Sequence, residues 1–298
     1  MASAFGDKAA VIVLNWNGWE DTVECLASCA GLDYENRETI VVDNGSTDDS
    51  VARIRAAYPD VKLVETGKNL GFAGGNNAGI RAALANGARY VWLLNNDTTV
   101  EPRALTALIE AIAADPKAGV AGSKITYFDD PGMLWYAGGE FTPEGPVRHR
   151  GLDETDTGQF EQLEETGFIT GCSLLTTAEV LERVGLLAEE YFLYWEEADF
   201  DWRARAAGYT LLYVPGSVVR HKVAASLGES WGIRQTEYLV RNMLLFYQRN
   251  EPGRLGEIKR KAWRDGLGHL THKRFGMAKA TFAGLRLFRK GDFGPIAD

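Results

Sequence analysis

The feature that most constrains this chain is a regular alternation, from Ala9 to Ala114, of short β-branched runs and longer amphipathic stretches. Ala9–Asn15 (AAVIVLN) reads as a buried strand and Trp19–Ala30 as the helix after it. Thr39–Asp43 predicts a second strand, followed by a helix from Asp48 to Ala57. Val61–Glu65 predicts a third strand, with a helix from Phe72 to Asn86. Tyr90–Asn95 (YVWLLN) predicts a fourth, and Pro102–Ala114 a helix with proline near its start, where a missing N–H costs nothing. Strands that are apolar throughout, separated by amphipathic helices, imply a parallel sheet covered on both faces. Right-handed crossovers then give an α/β, doubly wound, mostly parallel sheet flanked by helices.

Beyond Gly119 the pattern changes. Met133–Gly151, rich in Gly, Pro and aromatics, predicts a hairpin or irregular insertion, and the acidic Asp153–Glu165 a surface loop. Thr166–Thr176 predicts a strand, Ala178–Val184 a short helix, Ala198–Ala207 a helix closed by Gly208, and Tyr209–Val214 a late strand. Ile233–Asn250 predicts a long helix stopped by Pro252. With no repeat and no Ser/Pro-rich linker, the division expected is one domain over 1–250 and a basic helical C-terminal extension over 251–298.

A length of 298 residues suits such a domain, and 45% apolar with 24% charged residues excludes wholesale disorder. No apolar run approaches the ~18 residues that span a bilayer. Met1–Asp7 lacks a basic n-region and an apolar h-region, so no secretory signal is expected. Three cysteines, an odd number, argue against a disulfide framework and for a reducing compartment, and the expected location is cytoplasmic. Cys25 and Cys29 lack a second pair at zinc spacing and read as core or surface thiols. Charge is unevenly placed: residues 251–298 carry 11 Lys+Arg against 5 Asp+Glu, within a chain of net −9. An acidic body makes a nucleic-acid partner a poor fit, since phosphate backbones demand many Lys/Arg contacts.

Open α/β sheets bind ligands beyond the carboxyl ends of their strands. Those ends carry Asn15-Trp16-Asn17, Asp43-Asn44-Gly45-Ser46-Thr47-Asp48 and Asn95-Asn96-Asp97. Each alone reads equally well as turn or cap chemistry. Their coincidence on one rim points to a polar ligand. Asp43 can accept a hydrogen bond from N3–H of uracil or thymine, and Asn15 and Asn17 can serve the base or the ribose hydroxyls. Trp16 packs on a base or fills the core. The segment Gly71-Phe72-Ala73-Gly74-Gly75-Asn76-Asn77 opens a helix but is not GxGxxG. Its glycines either admit a donor to the helix N–H groups or permit tight helix–sheet packing.

The strings VIVLNWNG, IVVDNGSTDDS, NLGFAGGNNAGI, WLLNNDTTVEP, GFITGCSLL, YFLYWEEADFDWRARAAGY, VRHKVAAS and YLVRNMLLFY follow one another in the order seen in family 2 glycosyltransferases. The chain most resembles the bacterial rhamnosyltransferase branch, from about Ala10 to Phe246. The fold this resemblance implies is GT-A, with a front half (about 1–125) for nucleotide and a back half (about 126–250) for acceptor. It implies an inverting transfer from a nucleotide-diphosphate sugar, dTDP-L-rhamnose first and a UDP-hexose second, to a saccharide or lipid-linked saccharide.

The resemblance also distributes roles. The donor would meet Asn15, Trp16, Asn17, Asp43, Asn69, Gly71, Phe72, Asn76, Asn95 and Asn96. The metal-binding DXD-type motif falls on Asn95-Asn96-Asp97, where Asn replaces the first Asp and leaves Asp97 as the ionised ligand for Mg²⁺ or Mn²⁺. His221 is a second ligand in some relatives and otherwise a structural histidine. Relatives show Glu-Asp where this chain has Glu196-Glu197, so Glu197 takes the base position with one extra methylene and Glu196 is the alternative. The bland reading of both is acidic residues at a helix N-terminus.

Other classes fit less well. A sugar-1-phosphate nucleotidyltransferase needs a Gly-rich loop with basic residues after the first strand, and Asn15-Trp16-Asn17-Gly18-Trp19-Glu20 stands there. A non-catalytic glycan-binding module has no need of Asp97 with Glu196 and Glu197. In the extension, Arg254–Lys290 joins eleven Lys/Arg to Trp263, Phe275, Phe282, Leu285, Leu287 and Phe288. That composition suits peripheral contact with an anionic membrane face or a helix packed on the domain.

Overall fold

Strands buried on both faces need apolar residues at nearly every position, and the opening runs supply them. In the computed structural model, which describes residues 6–223 and 228–296 and only the backbone of 228–231, these runs form the expected frame. Its elements are β1 (Ala9–Asn15), α1 (Trp19–Ala30), β2 (Arg37–Asp43), α2 (Ser50–Ala57), β3 (Lys62–Glu65), α3 (Gly71–Ala85) and β4 (Tyr90–Asn95). β1 lies between β2 and β4, parallel to both, with Asn15 opposite Asp43 and Leu14 opposite Asn95. Three polar loops therefore leave the same edge of the sheet side by side.

The rest of the sheet departs from the expected elements. After β5 (Thr98–Val100) and α4 (Ala104–Ala114) comes β6 (Ala118–Tyr127), a ten-residue strand where no strand was predicted. β7 (Leu134–Tyr136) pairs with β6, and the expected hairpin is β8 (Gly139–Phe141) with β9 (Val147–His149). The acidic stretch is a loop that ends in β10 (Glu164–Glu165), and the buried Lys124 ties it down by pairing with Asp156 at 3.0 Å and with Glu161. The predicted strand over Thr166–Thr176 shrinks to β11 (Ser173–Thr177), because residues 166–172 turn toward a cavity instead. α5 (Ala178–Val184) and α6 (Glu196–Ala206) follow. The predicted strand ending at Val214 instead runs on as β12 (Thr210–His221), with its register shifting between Val214 and Val218 as it passes Pro215-Gly216-Ser217.

Among the described residues the sheet has ten strands, eight in the order β10-β12-β6-β11-β4-β1-β2-β3, with β5 paired to β12 and β7 to β6 off that path. β11 runs antiparallel between β4 and β6, so the sheet is mixed, and it is mostly parallel through the β1–β2, β1–β4, β2–β3 and β6–β12 pairs. β12 also pairs antiparallel with β5, which sets His221 opposite Thr98. Cys25, Cys29 and Cys172 are free and buried, so the two helical thiols belong to the core.

α7 (Gly228–Asn250), α8 (Leu255–Thr271) and α9 (Phe275–Lys290) complete the chain. α9 meets α7 where Gly284 lets it approach Val240, and α8 where Gly266 admits the Phe282 ring. Ile258, Ala262, Ala278 and Phe288 are buried by this packing, while Trp263, Leu267, Leu270 and Phe275 stay exposed. The packed-helix alternative thus holds for the inner face of the extension, and its outer face carries exposed apolar side chains. No helix of the described residues is long and apolar enough to cross a membrane. Residues 1–5, on which the reading of the N-terminus rests, and the last three residues of VRHKVAAS lie outside the described residues.

Candidate active site

The three strand-end loops are hydrogen-bonded to one another before any ligand is considered. Asn15, fully buried, donates from Nδ2 to Asp43 Oδ1 at 3.0 Å and to Ser46 Oγ at 3.1 Å, and its Oδ1 accepts from Thr22 at 2.8 Å. Asn96 donates to the same Thr22 hydroxyl at 3.0 Å and to the Gly18 carbonyl at 3.2 Å. Asn17 Oδ1 accepts from the Thr47 N–H at 2.8 Å. Asn15 and Asn96 thus fasten the loops together, and Asp43, whose Oδ2 also accepts from Ser46 N at 3.1 Å, keeps a free lone pair on each oxygen. Trp16 is 51% exposed at the rim, which removes the core-filling alternative for it.

The packing use of the Gly-rich helix is visible in the structure. A Cβ on Gly79 would stand 2.5 Å from Ile12 Cγ2, and one on Gly75 would stand 2.5 Å from Leu14 Cδ1, so α3 lies directly on β1. Gly71, at φ 73°, would place a Cβ 2.2 Å from the Phe192 carbonyl oxygen, a conformation and an approach that only glycine allows. Asn69 Oδ1 caps the Gly71 N–H at 2.8 Å, and Asn76 is buried with its amide on the Phe72 carbonyl at 3.0 Å.

A cavity of about 690 Å³ opens beside this rim and gathers Phe72, Asn95, Asp97, His221, Glu196 and Glu197. The β12–β5 pairing brings His221 Nε2 to 3.2 Å from Asp97 Oδ1. The two groups are close without aligning as a hydrogen bond, which leaves Asp97 Oδ1 buried and without a hydrogen-bond partner, and His221 Nδ1, the ring's other nitrogen, is buried without one as well. Burial pushes the Asp97 carboxyl up, but His221 more than reverses this and holds it below its usual range. Burial likewise pushes His221 down, yet the Cys172 sulfur and Asp97 raise it to about 10. Lys222 fixes the strand end, its N–H on the Asp97 carbonyl at 2.9 Å and its ammonium on Asp21 at 2.5 Å.

The glutamates arrive on a contorted loop. Phe192, Tyr194 and Trp195 have φ of 65°, 68° and 78°, left-handed values that cost side-chain-bearing residues of order 1 kcal/mol each. Neighbouring groups hold the loop in place. The Phe72 N–H donates to the Phe192 carbonyl at 2.7 Å, and Asn242 Nδ2 to the carbonyls of Tyr191, Leu193 and Tyr194 at 2.9, 2.8 and 2.8 Å. The buried Arg241 reaches the Tyr191 carbonyl at 3.0 Å and the Gly294 carbonyl at 2.7 Å, which joins the C-terminal segment to the same loop.

Burial pushes both glutamate carboxyls up. Glu196, which also feels the charge of Glu197, stands well above the usual carboxylate range. On Glu197 backbone N–H groups, including that of Gly171, work against burial. Trp135 and His149, which the sequence reading left inside an irregular insertion, line the same cavity with Thr170 and Cys172. The Trp135 ring stands edge-on between His149 and His221, 4.6 Å from each, and the aromatic density of that stretch was the available signal. Burial pushes His149 down to about 4.

A doubly wound sheet with polar loops along one rim is the frame expected of a GT-A glycosyltransferase. The sequence profile of glycosyl transferase family 2 matches residues 10–185. The chain belongs to that family.

It is 29% identical over 243 residues to the N-acetylglucosaminyl-diphospho-decaprenol L-rhamnosyltransferase of Mycobacterium tuberculosis, covering 74% of this chain and 78% of that protein. It is also 29% identical over 201 residues to the low-salt glycan biosynthesis hexosyltransferase Agl10 of Haloferax volcanii, covering 67% of this chain and 62% of that protein. In fold it matches the mannosyltransferase PcManGT of Pyrobaculum calidifontis, solved with GDP-Man and Mn²⁺, at a TM-score of 0.59. That match covers 95% of this chain and 87% of that one at 18% identity.

Proposed function

We propose that the chain transfers L-rhamnose from dTDP-L-rhamnose to a hydroxyl of a saccharide or lipid-linked saccharide, with inversion at the anomeric carbon. The observation that carries this is the single cavity holding the Asp97–His221 pair and the Glu196–Glu197 pair beside the Asp43 rim. Residues 1–250 act as the catalytic unit, nucleotide on the front half and acceptor on the back. Asp43 accepts the N3–H of thymine, with exposed Trp16 available to pack on the base. Uracil offers the same N3–H, so a UDP-hexose is the second reading of the donor. The likeness to the mycobacterial L-rhamnosyltransferase favours the deoxysugar.

The residues present fit a divalent cation. A buried carboxylate oxygen and a buried imidazole nitrogen, each without a hydrogen-bond partner, stand in one corner of the cavity. Mg²⁺ and Mn²⁺ are bound by one or two side chains when substrate phosphates and water complete the shell, so the absence of a cluster of three ligands among the described residues is compatible. Asp97 and His221, the imidazole giving up its proton as the ion enters, would hold it, and its chemistry is to neutralise charge on the leaving diphosphate.

In the proposed reaction the acceptor oxygen bonds to the anomeric carbon as the bond to the diphosphate oxygen breaks on the opposite face. Glu197 takes the hydroxyl proton. The two carboxyls are a coupled buried pair, both raised by burial, and Glu197 holds the base position that the resemblance gives it, with Glu196 the alternative. Apolar walls from Phe72 and Trp135 limit water around the reacting carbon. Thermal-shift titration with dTDP-, UDP- and GDP-sugars, with and without Mn²⁺, tests the donor. A shift specific to dTDP-L-rhamnose supports the proposal, and a shift confined to GDP-sugars, or to none, refutes it.

A further inference from the structure

The α8–α9 pair carries a groove with an apolar floor and a cationic rim. Trp263, Phe282, Leu285 and Phe288 line about 530 Å³ of it, with Lys259, Arg286 and Arg289 at its edge. None of these three cations has a salt bridge among the described residues, and Lys259 rests over the Phe288 ring at 4.9 Å. Next to the groove Trp263, Leu267 and Leu270 follow one another along one side of α8, 55%, 53% and 41% exposed. Phe275, at the start of α9, is 65% exposed.

Large apolar side chains in water beside unpaired cations are satisfied together by one kind of partner, an apolar layer under an anionic face. We infer that this face of α8–α9 docks on an anionic phospholipid bilayer. Trp263, Leu267 and Leu270 enter the boundary between headgroups and acyl chains, and Lys259, Arg286 and Arg289 meet lipid phosphates. Charge fixes the orientation. Residues 251–298 carry 11 basic and 5 acidic side chains, whereas residues 1–250 carry 21 and 36. An anionic surface therefore attracts the helix pair and repels the rest of the molecule. The inference needs neither sugar nor nucleotide, so it stands or fails independently of the proposed activity.

The test is co-sedimentation of the full-length chain with vesicles of phosphatidylcholine alone or with roughly a third phosphatidylglycerol, at about 100 mM salt. Partitioning onto the anionic vesicles should exceed that onto neutral ones by at least about tenfold and weaken as salt rises. Arg286→Glu with Arg289→Glu should lower it roughly fivefold or more per residue. Trp263→Ser with Leu267→Ser should lower it about tenfold or more at unchanged charge. Unaltered thermal unfolding in both variants establishes that the fold is kept. Equal sedimentation with both vesicle types, or wild-type sedimentation by either variant, would overturn the inference. So would a concentration-dependent dimer that Trp263→Ser abolishes, because a second copy would then cover the face.

Discussion

The side-chain amide of Asn242 donates to the carbonyl oxygen of Leu193 at 2.8 Å, across the gap between α7 and the loop that delivers the two glutamates. The same amide also serves Tyr191 and Tyr194. One buried side chain thus sets the backbone of a segment whose left-handed residues would relax if released. Asn242→Ala should destabilise the fold by about 2–3 kcal/mol through the orphaned carbonyls. It should also lower turnover at least roughly tenfold in the molecules that remain folded, through a displaced base. Denaturant unfolding measures the first effect, and kcat at a temperature where the variant is fully folded measures the second. A wild-type kcat would remove Asn242 from any role in positioning.

Glu197→Gln should slow transfer by about 10²–10⁴ while the nucleotide dissociation constant moves less than roughly threefold. The amide keeps the shape of the side chain but cannot take the acceptor's proton. Glu196→Gln, at the alternative position, should be far milder. If the two variants exchange behaviours, the base is Glu196.

Donor turnover should require a divalent cation, and Asp97→Asn should abolish the requirement together with most of the activity. Thermal-shift titration of donor with and without Mn²⁺ gives a readout that does not depend on turnover. Undiminished activity in excess EDTA would mean that the pyrophosphate is neutralised by protein cations alone, with His221 the first group to test.

His149 makes the fold acid-sensitive. Its native pKa of about 4 lies below the ordinary 6.5, so between these values the unfolded chain binds a proton that the native chain refuses. The stability contribution is complete above about pH 6.5 and is lost as pH falls toward 4, by about 3 kcal/mol in all. His149→Gln should flatten that part of the curve of unfolding free energy against pH. An unchanged fall between pH 6.5 and 4 in the variant would show that other groups cause it.

The front of the fold was legible because β1, β4 and the Ile40–Val42 stretch of β2 are buried on both faces and carry apolar residues almost without interruption. The same logic hid the back. β6 contains Gly119, Gly122, Ser123 and Lys124, and β12 passes through Pro215-Gly216-Ser217, so neither reads as a continuous apolar run. Asp97, Glu196 and Glu197 were found through resemblance and reach one cavity, whereas Trp135 and His149 were missed because their strands are three residues long. The Gly-rich helix is ambiguous for a local reason. Leu14 packs at Gly75, and Ile12 and Val42 pack at Gly79 beyond the segment singled out, a use that the sequence pattern does not separate from room for a phosphate.

The interleaving of the sheet has a consequence for how the molecule is made. β11 inserts between β4 and β6, and β12 must pair with both β6 and β5 before His221 can reach Asp97. During synthesis the rim formed by Asn15, Asp43 and Asn96 leaves the ribosome long before the strand that completes the corner beside it. Loop closure over such sequence distances is slow compared with local helix formation. A nascent chain released before β11 would therefore expose the unpaired edge of β4, which β11 seals, and β12, docking later against β6 and β5, finishes the site.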